Sequence, residues 1–455
     1  MGTIMLIIAI ITEIVFAVFC ICTKSLNKNI RSIMGIGAFA VFVISLLTSV
    51  IRWNYRWKCL FALLLVWAII GSISLIKVKL QNKKTADGKM IVKDSVKVDG
   101  RTAKIQYKCR YVIRKAVAML LLVAIALIPA LVFTENEPIG KTGEHKVATA
   151  IYTYTDENRI ETYTDTGENR KLNVEFWYPE DYDGTYPLVV FSHGSFGIKS
   201  SNESLYNELA SHGYVVCSID HTYQCLSTTD VDGNKTSIDK GFMQEIFTQD
   251  AHSEKQKCYE LYQKWMGIRT GDINFVIDYI LAEAEKNDAD TVYKLVDTAK
   301  IGVMGHSLGG SAALGIGRMR DDISAVIALE SPFMCDIEGV KDDEFVFLDE
   351  VYPAPVLNVY SDNSWSHLSE WAQYAENYAM LSNTKATAFN VYISGVGHLT
   401  LTDLALTSPF LTRFLNRRKS TTDTDYCLKT ISKVCLEFFD CYLKGECKFT
   451  SGGTY

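Results

Sequence analysis

Apolar residues are distributed along this chain in two different ways. In the first 133 residues they form four unbroken runs, 3–22, 32–51, 59–76 and 116–133. Each is about 18 to 20 residues long, the length an α-helix needs to cross a bilayer. After residue 145 they come in short bursts. Alternating segments at 148–155, 160–166 and 171–178 predict antiparallel strands joined by polar turns. Continuous runs at 187–192, 213–219, 301–305, 323–329, 356–360 and 389–394 predict strands buried on both faces. Helical patterns at 203–211, 273–285, 308–319 and 369–381 lie between them. Strands alternating with helices specify an α/β domain, a mostly parallel sheet with helices on both faces. The chain therefore reads as a membrane region with four transmembrane helices (1–133), a polar linker (134–144) and a globular domain (145–455).

Charge divides along similar lines. Residues 1–115 hold 19 Lys and Arg against 4 Asp and Glu, and the remainder holds 27 against 48. The acidic globular half argues against nucleic acid as partner. Thirteen of the basic residues lie between positions 77 and 115, with only three Asp, which places that loop in the cytoplasm. The loop with Lys24, Lys28 and Arg31 is then also inside. The loop with Arg52, Arg56 and Lys58 runs against the rule and is outweighed. The globular domain is expected on the non-cytoplasmic side of the cell membrane. Glu13 falls inside the first run, where a protonated carboxyl bonded to a neighbouring helix is expected. Pro129 is expected to kink the fourth span.

The candidate chemistry lies at predicted strand ends, where ligands of such sheets bind. Gly305-His306-Ser307-Leu308-Gly309 follows the strand at 301–305 and opens a small-residue helix. A nucleophilic serine on a sharp strand-to-helix turn needs nearly side-chain-free neighbours, which Gly305 and Gly309 provide. Upstream, His193-Gly194-Ser195-Phe196-Gly197 follows the strand at 187–192. An oxyanion needs two backbone N–H donors. Leu308, after the nucleophile, is one candidate, and Ser195 in the HG-type turn is the other. The base should come last in the chain. His398, in Gly395-Val396-Gly397-His398 after a strand, suits that role better than His367, which lies where a helix begins. His252 reads as superficial. The acid is Glu330 or Asp362, each of which ends or follows a strand. Residues 223–266 form a long insertion with Phe242, Phe247, Tyr262 and Trp265, readable as a lid or as ordinary core. Eight cysteines in the globular domain permit disulfides outside the cytoplasm, with 427–447 the best candidate region. No metal-ligand spacing, P-loop or dinucleotide fingerprint is apparent, so no metal or cofactor is expected.

The runs VVFSHGSFG, ASHGYVVCSIDH (210–221), GHSLGG and ALES (328–331), with the Gly-x-Gly-His leading to His398, resemble the platelet-activating factor acetylhydrolases of the serine-lipase type. The resemblance covers nearly all of 145–420 and implies an α/β-hydrolase fold and calcium-independent cleavage of short or oxidised sn-2 acyl chains from phospholipids. It implies Ser307 as nucleophile, His398 as base, Leu308 and Ser195 as oxyanion donors, and Glu330 as acid, a Glu where that family usually has Asp. The four spans are not part of the family pattern. Dienelactone-hydrolase-like and cutinase-like esterases of soluble or polymeric esters share many of these motifs. A non-catalytic, membrane-tethered binding protein is the remaining alternative.

Overall fold

The computed structural model describes residues 2–86, 95–98, 101–104, 108–135, 138–180, 184–382, 385–446 and 448–455. The chain divides into two compact units, Met1–Glu135 and Asn136–Tyr455. Within the basic loop at 77–115, residues 87–94, 99–100 and 105–107 lie outside the described residues.

The first unit contains helices α1 (Gly2–Cys22), α2 (Lys28–Leu47), α3 (Tyr55–Ala86) and α4 (Cys109–Val132). Each is long and apolar enough to cross a membrane. Phe42, Trp57 and Leu127 pack inside, while Ile7, Val15, Ile44, Ile76 and Ile125 point outward and are at least half exposed. Such an outer surface is unfavourable against water and indifferent to hydrocarbon. Pro129 lies inside α4 near its end. Glu13 bonds to the neighbouring helix, and its partner is Arg31 of α2 at 2.6 Å. Those two residues lie on successive helices, so no local spacing announces the pair.

The second unit is built on nine strands. They are β1 (Val147–Ile160), β2 (Asn169–Pro179), β3 (Tyr186–Ser192), β4 (Val215–Asp220), β5 (Val296–His306), β6 (Ile323–Leu329), β7 (Val356–Tyr360), β8 (Ala388–Tyr392) and β9 (Gly453–Thr454). Their order across the sheet is 9-8-7-6-5-3-4-2-1. Only β2 runs against its neighbours. The remaining pairs are parallel, from β4 to β9. Alternation along β3 shows why its run is continuously apolar. Leu188 and Val190 enter the core beneath α6 (Lys255–Ala284) and α7 (Leu308–Met319). Val189 and Phe191 enter the opposite core, beneath α5 (Glu203–Ser211) and α8 (Thr424–Phe439). Both faces are covered, so nothing along β3 needs to be polar until its end.

Three expected elements differ. No separate strand forms at 160–166. Glu161 turns its carboxylate inward to accept the Tyr163 N–H at 2.9 Å and pair with Arg170 at 2.7 Å, which ends β1 in a turn. The helix expected at 273–285 begins at Lys255, so residues 255–266 of the insertion belong to the scaffold. Cys258, Tyr262, Trp265, Met266, Arg269, Ile273 and Ile277 form one buried stripe at helical spacing. What remains of the insertion is a small hairpin (Ser227–Thr229 with Lys235–Ser237) and a helix, Lys240–Thr248, capped by Asp239 on the Phe242 N–H at 2.8 Å. The helix expected at 369–381 is two short turns, Ala372–Tyr374 and Ala375–Met380. In the tail, Cys427 and Cys435 are buried free thiols, Cys441 is disulfide-bonded and Cys447 lies outside the described residues.

Candidate active site

The site is built where β3, β5 and β6 end side by side. Ser307 sits between β5 and α7 with φ 54° and ψ −126°, a backbone conformation that only surrounding structure can enforce on a residue with a side chain. Its N–H is held by the Leu329 carbonyl of β6 at 2.8 Å, and its carbonyl accepts the Ser311 N–H at 3.1 Å. The flanking glycines are a packing requirement. A Cβ on Gly309 would run into the carbonyl oxygens of Ser192 and His193, and one on Gly305 into the backbone of Gly309. The first turn of α7 therefore rests directly on the end of β3.

That contact brings the upstream turn to the nucleophile. A Cβ on Gly194 would lie 3.2 Å from Ser307 Cβ. The Gly197 N–H closes the turn on the Gly194 carbonyl at 3.0 Å, with Phe196 at φ 62°. His193 is buried and holds the turn, its Nδ1–H on the Gly194 carbonyl at 2.6 Å and its Nε2 accepting the His221 N–H at 3.3 Å. Among the described residues no acceptor is paired with the N–H of Leu308 or of Ser195. Leu308 also opens α7, where the helix dipole favours negative charge.

His398 is half-buried on the loop after β8. Asp362 accepts the Gly395 N–H at 2.9 Å, Asn416 accepts the Leu399 N–H at 2.9 Å, and the Gly395 carbonyl accepts the Thr421 N–H at 2.8 Å, so the loop is tied down on three sides. The His398 ring packs on His306, the residue before Ser307, with centroids 4.5 Å apart. Burial pushes its pKa down to about 4, which keeps it neutral at pH 7. Among the described residues no hydrogen bond joins it to Ser307, Glu330 or Asp362.

The two candidate acids differ in what they are free to do. Asp362 is engaged at both oxygens, by Tyr392 (2.8 Å) and Gly395 on one and by Arg418 (2.7 Å) on the other. Glu330 is buried at the end of β6 with φ 54°. One of its oxygens accepts the Ser361 N–H, and the other, equally buried, has no partner among the described residues. Burial pushes its pKa up to about 7 against the opposing hydrogen bond from Ser361.

Sequence reasoning missed a buried polar cluster beneath the turn. Ser192 Oγ lies 2.8 Å from His221 Nε2, and His221 Nδ1 lies 2.8 Å from Asp272 Oδ2, all three wholly buried. Arg170 grips Asp272 with two bonds of 2.6 Å. Arg269 donates to the His193 carbonyl and, at 2.7 Å, to Gln224. Burial alone would raise the Asp272 carboxyl, but Arg170 and His221 hold its pKa well below the carboxylate range. Burial and Arg269 push His221 down to about 4. This Ser-His-Asp chain is a brace, since no substrate can reach it. Its one sequence signal is the one-turn spacing of Arg269 and Asp272.

His193, Asp220 and Cys225 also place ligand atoms within 4.8 Å of one another. Both His193 nitrogens are engaged, and Asp220 holds Lys199 at 3.2 Å and Thr228 at 2.7 Å. Burial pushes the Cys225 thiol up to about 12. A metal would have to displace these partners, so the set does not fit one.

Residues 158–453 match the family model described as platelet-activating factor acetylhydrolase, isoform II. The chain belongs to this family. It is 23% identical to the platelet-activating factor acetylhydrolase of Canis lupus familiaris over 275 residues, 57% of each chain, so it spans little more than half of that relative's length. It is 28% identical to cutinase est1 of Thermobifida alba over 153 residues, 34% of this chain and 37% of that one. A ferulic acid esterase structure from Streptomyces cinnamoneus superposes with a TM-score of 0.52 at 19% identity, covering 68% of this chain and 93% of that one. The fold is the α/β-hydrolase fold.

Two predictions concern this acetylhydrolase-family domain. Asp272→Asn strips the carboxylate from the buried Arg170 guanidinium and should cost about 3–5 kcal/mol, read as a lowered thermal midpoint of the full-length chain. Glu330 holds its proton to about pH 7 when folded, against an ordinary 4.5, so stability falls as pH rises between these values and levels off above. Glu330→Gln should therefore be about 3 kcal/mol more stable than the parent at pH 8 and no more stable at pH 4. Melting curves at the two pH values check the sign.

Proposed function

We propose that the chain is a membrane-anchored serine esterase that cleaves short or oxidised sn-2 acyl groups from phospholipids. The carrying observation is the strained Ser307, set beside an HG-type turn at the N-terminus of a helix. Family membership supports ester hydrolysis, and the four apolar helices support a membrane anchor. The excess of Lys and Arg between 77 and 115 supports a catalytic unit on the non-cytoplasmic side of the cell membrane.

In the proposed reaction Ser307 Oγ attacks the ester carbonyl while His398 takes its proton. The N–H groups of Leu308 and Ser195 receive the oxyanion, a contribution of about 10²–10³ in rate per donor. Collapse expels the alcohol, to which His398 returns the proton. Water, deprotonated by the same imidazole, then releases the acid from Ser307. Glu330 orients the imidazole and stabilises its charged form. Its unpartnered oxygen supports this assignment, whereas Asp362 ties down the His398 loop. The imidazole, packed at a tilt on His306, turns to Ser307 in the proposed reaction. Catalytic hydrogen bonds commonly close only when substrate binds.

An amphiphilic substrate is supported by exposed aromatic surface. Phe247 is 74% exposed and stacks on Phe196 of the oxyanion turn at 5.3 Å. Phe410 and Phe414 are exposed on the segment that follows His398, interspersed with Arg413, Arg417, Arg418 and Lys419. Apolar side chains among cations suit an anionic lipid surface.

Two measurements test the reading. Phosphatidylcholines with sn-2 acetyl or oxidised short chains should turn over at least about 100-fold faster than sn-2 palmitoyl. Nitrophenyl ester turnover without phospholipid turnover would favour the soluble or polymeric esters of a cutinase-like enzyme. Glu330→Gln should lower kcat about 10⁴-fold and Asp362→Asn less than about tenfold. Abolition by Asp362→Asn alone would reassign the acid.

A further inference from the structure

Within the first unit, α1, α2, α3 and α4 line an open-sided cavity of about 680 Å³, within the ~300–1,000 Å³ range of small-molecule sites. Its walls are apolar, with Met5, Ile8, Val41, Leu64, Met119 and Val123 among them. Its charged residues are Lys28 and Arg31 in the first turn of α2, Lys115 in the second turn of α4, and Glu13. Lys115 lies within electrostatic reach of the other three. Among the described residues Glu13 is the only carboxylate in the lining, and it is already paired with Arg31. That leaves two formal positive charges uncompensated within the lining. Arg31 Nη1 is buried and has no hydrogen-bond partner among the described residues.

Uncompensated cations among lipid-embedded helices are costly, and basic pockets between such helices attract anionic head groups. We infer that this cavity binds one anionic phospholipid, its head-group phosphate between Lys28, Arg31 and Lys115 and an acyl chain along the apolar walls. A guanidinium and two ammonium groups match a phosphate in charge and donors. The inference rests on the membrane reading above and is independent of the esterase reading.

The full-length chain is the test object. Carbonate extraction of membranes is read first: protein in the supernatant overturns the membrane reading and this site with it. For protein that stays in the pellet, native mass spectrometry in detergent counts retained dioleoyl phosphatidylglycerol and dioleoyl phosphatidylcholine, which share their acyl chains. The wild-type chain should hold one phosphatidylglycerol and prefer it over phosphatidylcholine. Lys28→Gln with Lys115→Gln, which leaves the Glu13–Arg31 pair in place, should weaken that preference about thirtyfold. The thermal midpoint in the same detergent reports that the double variant is folded, and Met119→Trp, which fills the cavity from its wall, should release the lipid by a second route. Equal retention of the two lipids, or a preference that survives in both variants, overturns the site. Retention of oleate without phosphatidylglycerol overturns the phospholipid assignment in favour of a fatty acid.

Discussion

The catalytic unit depends on one close approach. The first turn of α7 lies on the carbonyl oxygens of Ser192 and His193, and only glycine at 305 and 309 allows it. Because helix and strand meet there without side chains between them, Ser307 is forced into a conformation it would not choose, with its amide held by β6. The same contact sets the turn at Gly194 against the serine. Ser307 and the candidate oxyanion donors are thus positioned by one piece of backbone geometry. Neighbouring loops are not needed to bring them together.

Such a contact needs a rigid underside, and the buried cluster supplies it. A sheet end is where backbone carbonyls run out of strand partners. Here the His193 carbonyl is taken by Arg269 and the Ser192 hydroxyl by His221, which Asp272 and Arg170 anchor in turn. Burying so many charges is favourable only when every partner is present. In this buried Ser-His-Asp set the hydrogen bonds are closed, whereas among the described residues none joins Ser307, His398 and Glu330, the set proposed for catalysis.

Much of this was legible in the sequence because it is local. The G-x-S-x-G spacing, the HG-type turn after an apolar run and the four long apolar stretches are each contained in one window. What was not legible depends on residues distant in sequence. Glu13 and Arg31 meet across two helices. Ser192, His221 and Asp272 converge from two strands and a helix. The inward turn of Glu161 depends on Arg170, and it ended a strand that alternation alone would have continued. The start of α6 was obscured for a different reason: its aromatic residues read equally well as a lid until the full stripe from Cys258 to Ile280 is seen on one face. Glu330 and Asp362 both stand at strand ends, so their position leaves both open as the acid, and their differing hydrogen bonds are visible only in the fold.

The central claim is that Ser307 is a reactive hydroxyl. Full-length protein treated with a fluorophosphonate and digested for peptide mass analysis tests it most directly. The account predicts one adduct per chain, on the peptide containing Gly305-His306-Ser307-Leu308-Gly309, and none in Ser307→Ala. No adduct in the folded protein, or an adduct on another serine that survives in Ser307→Ala, would contradict it.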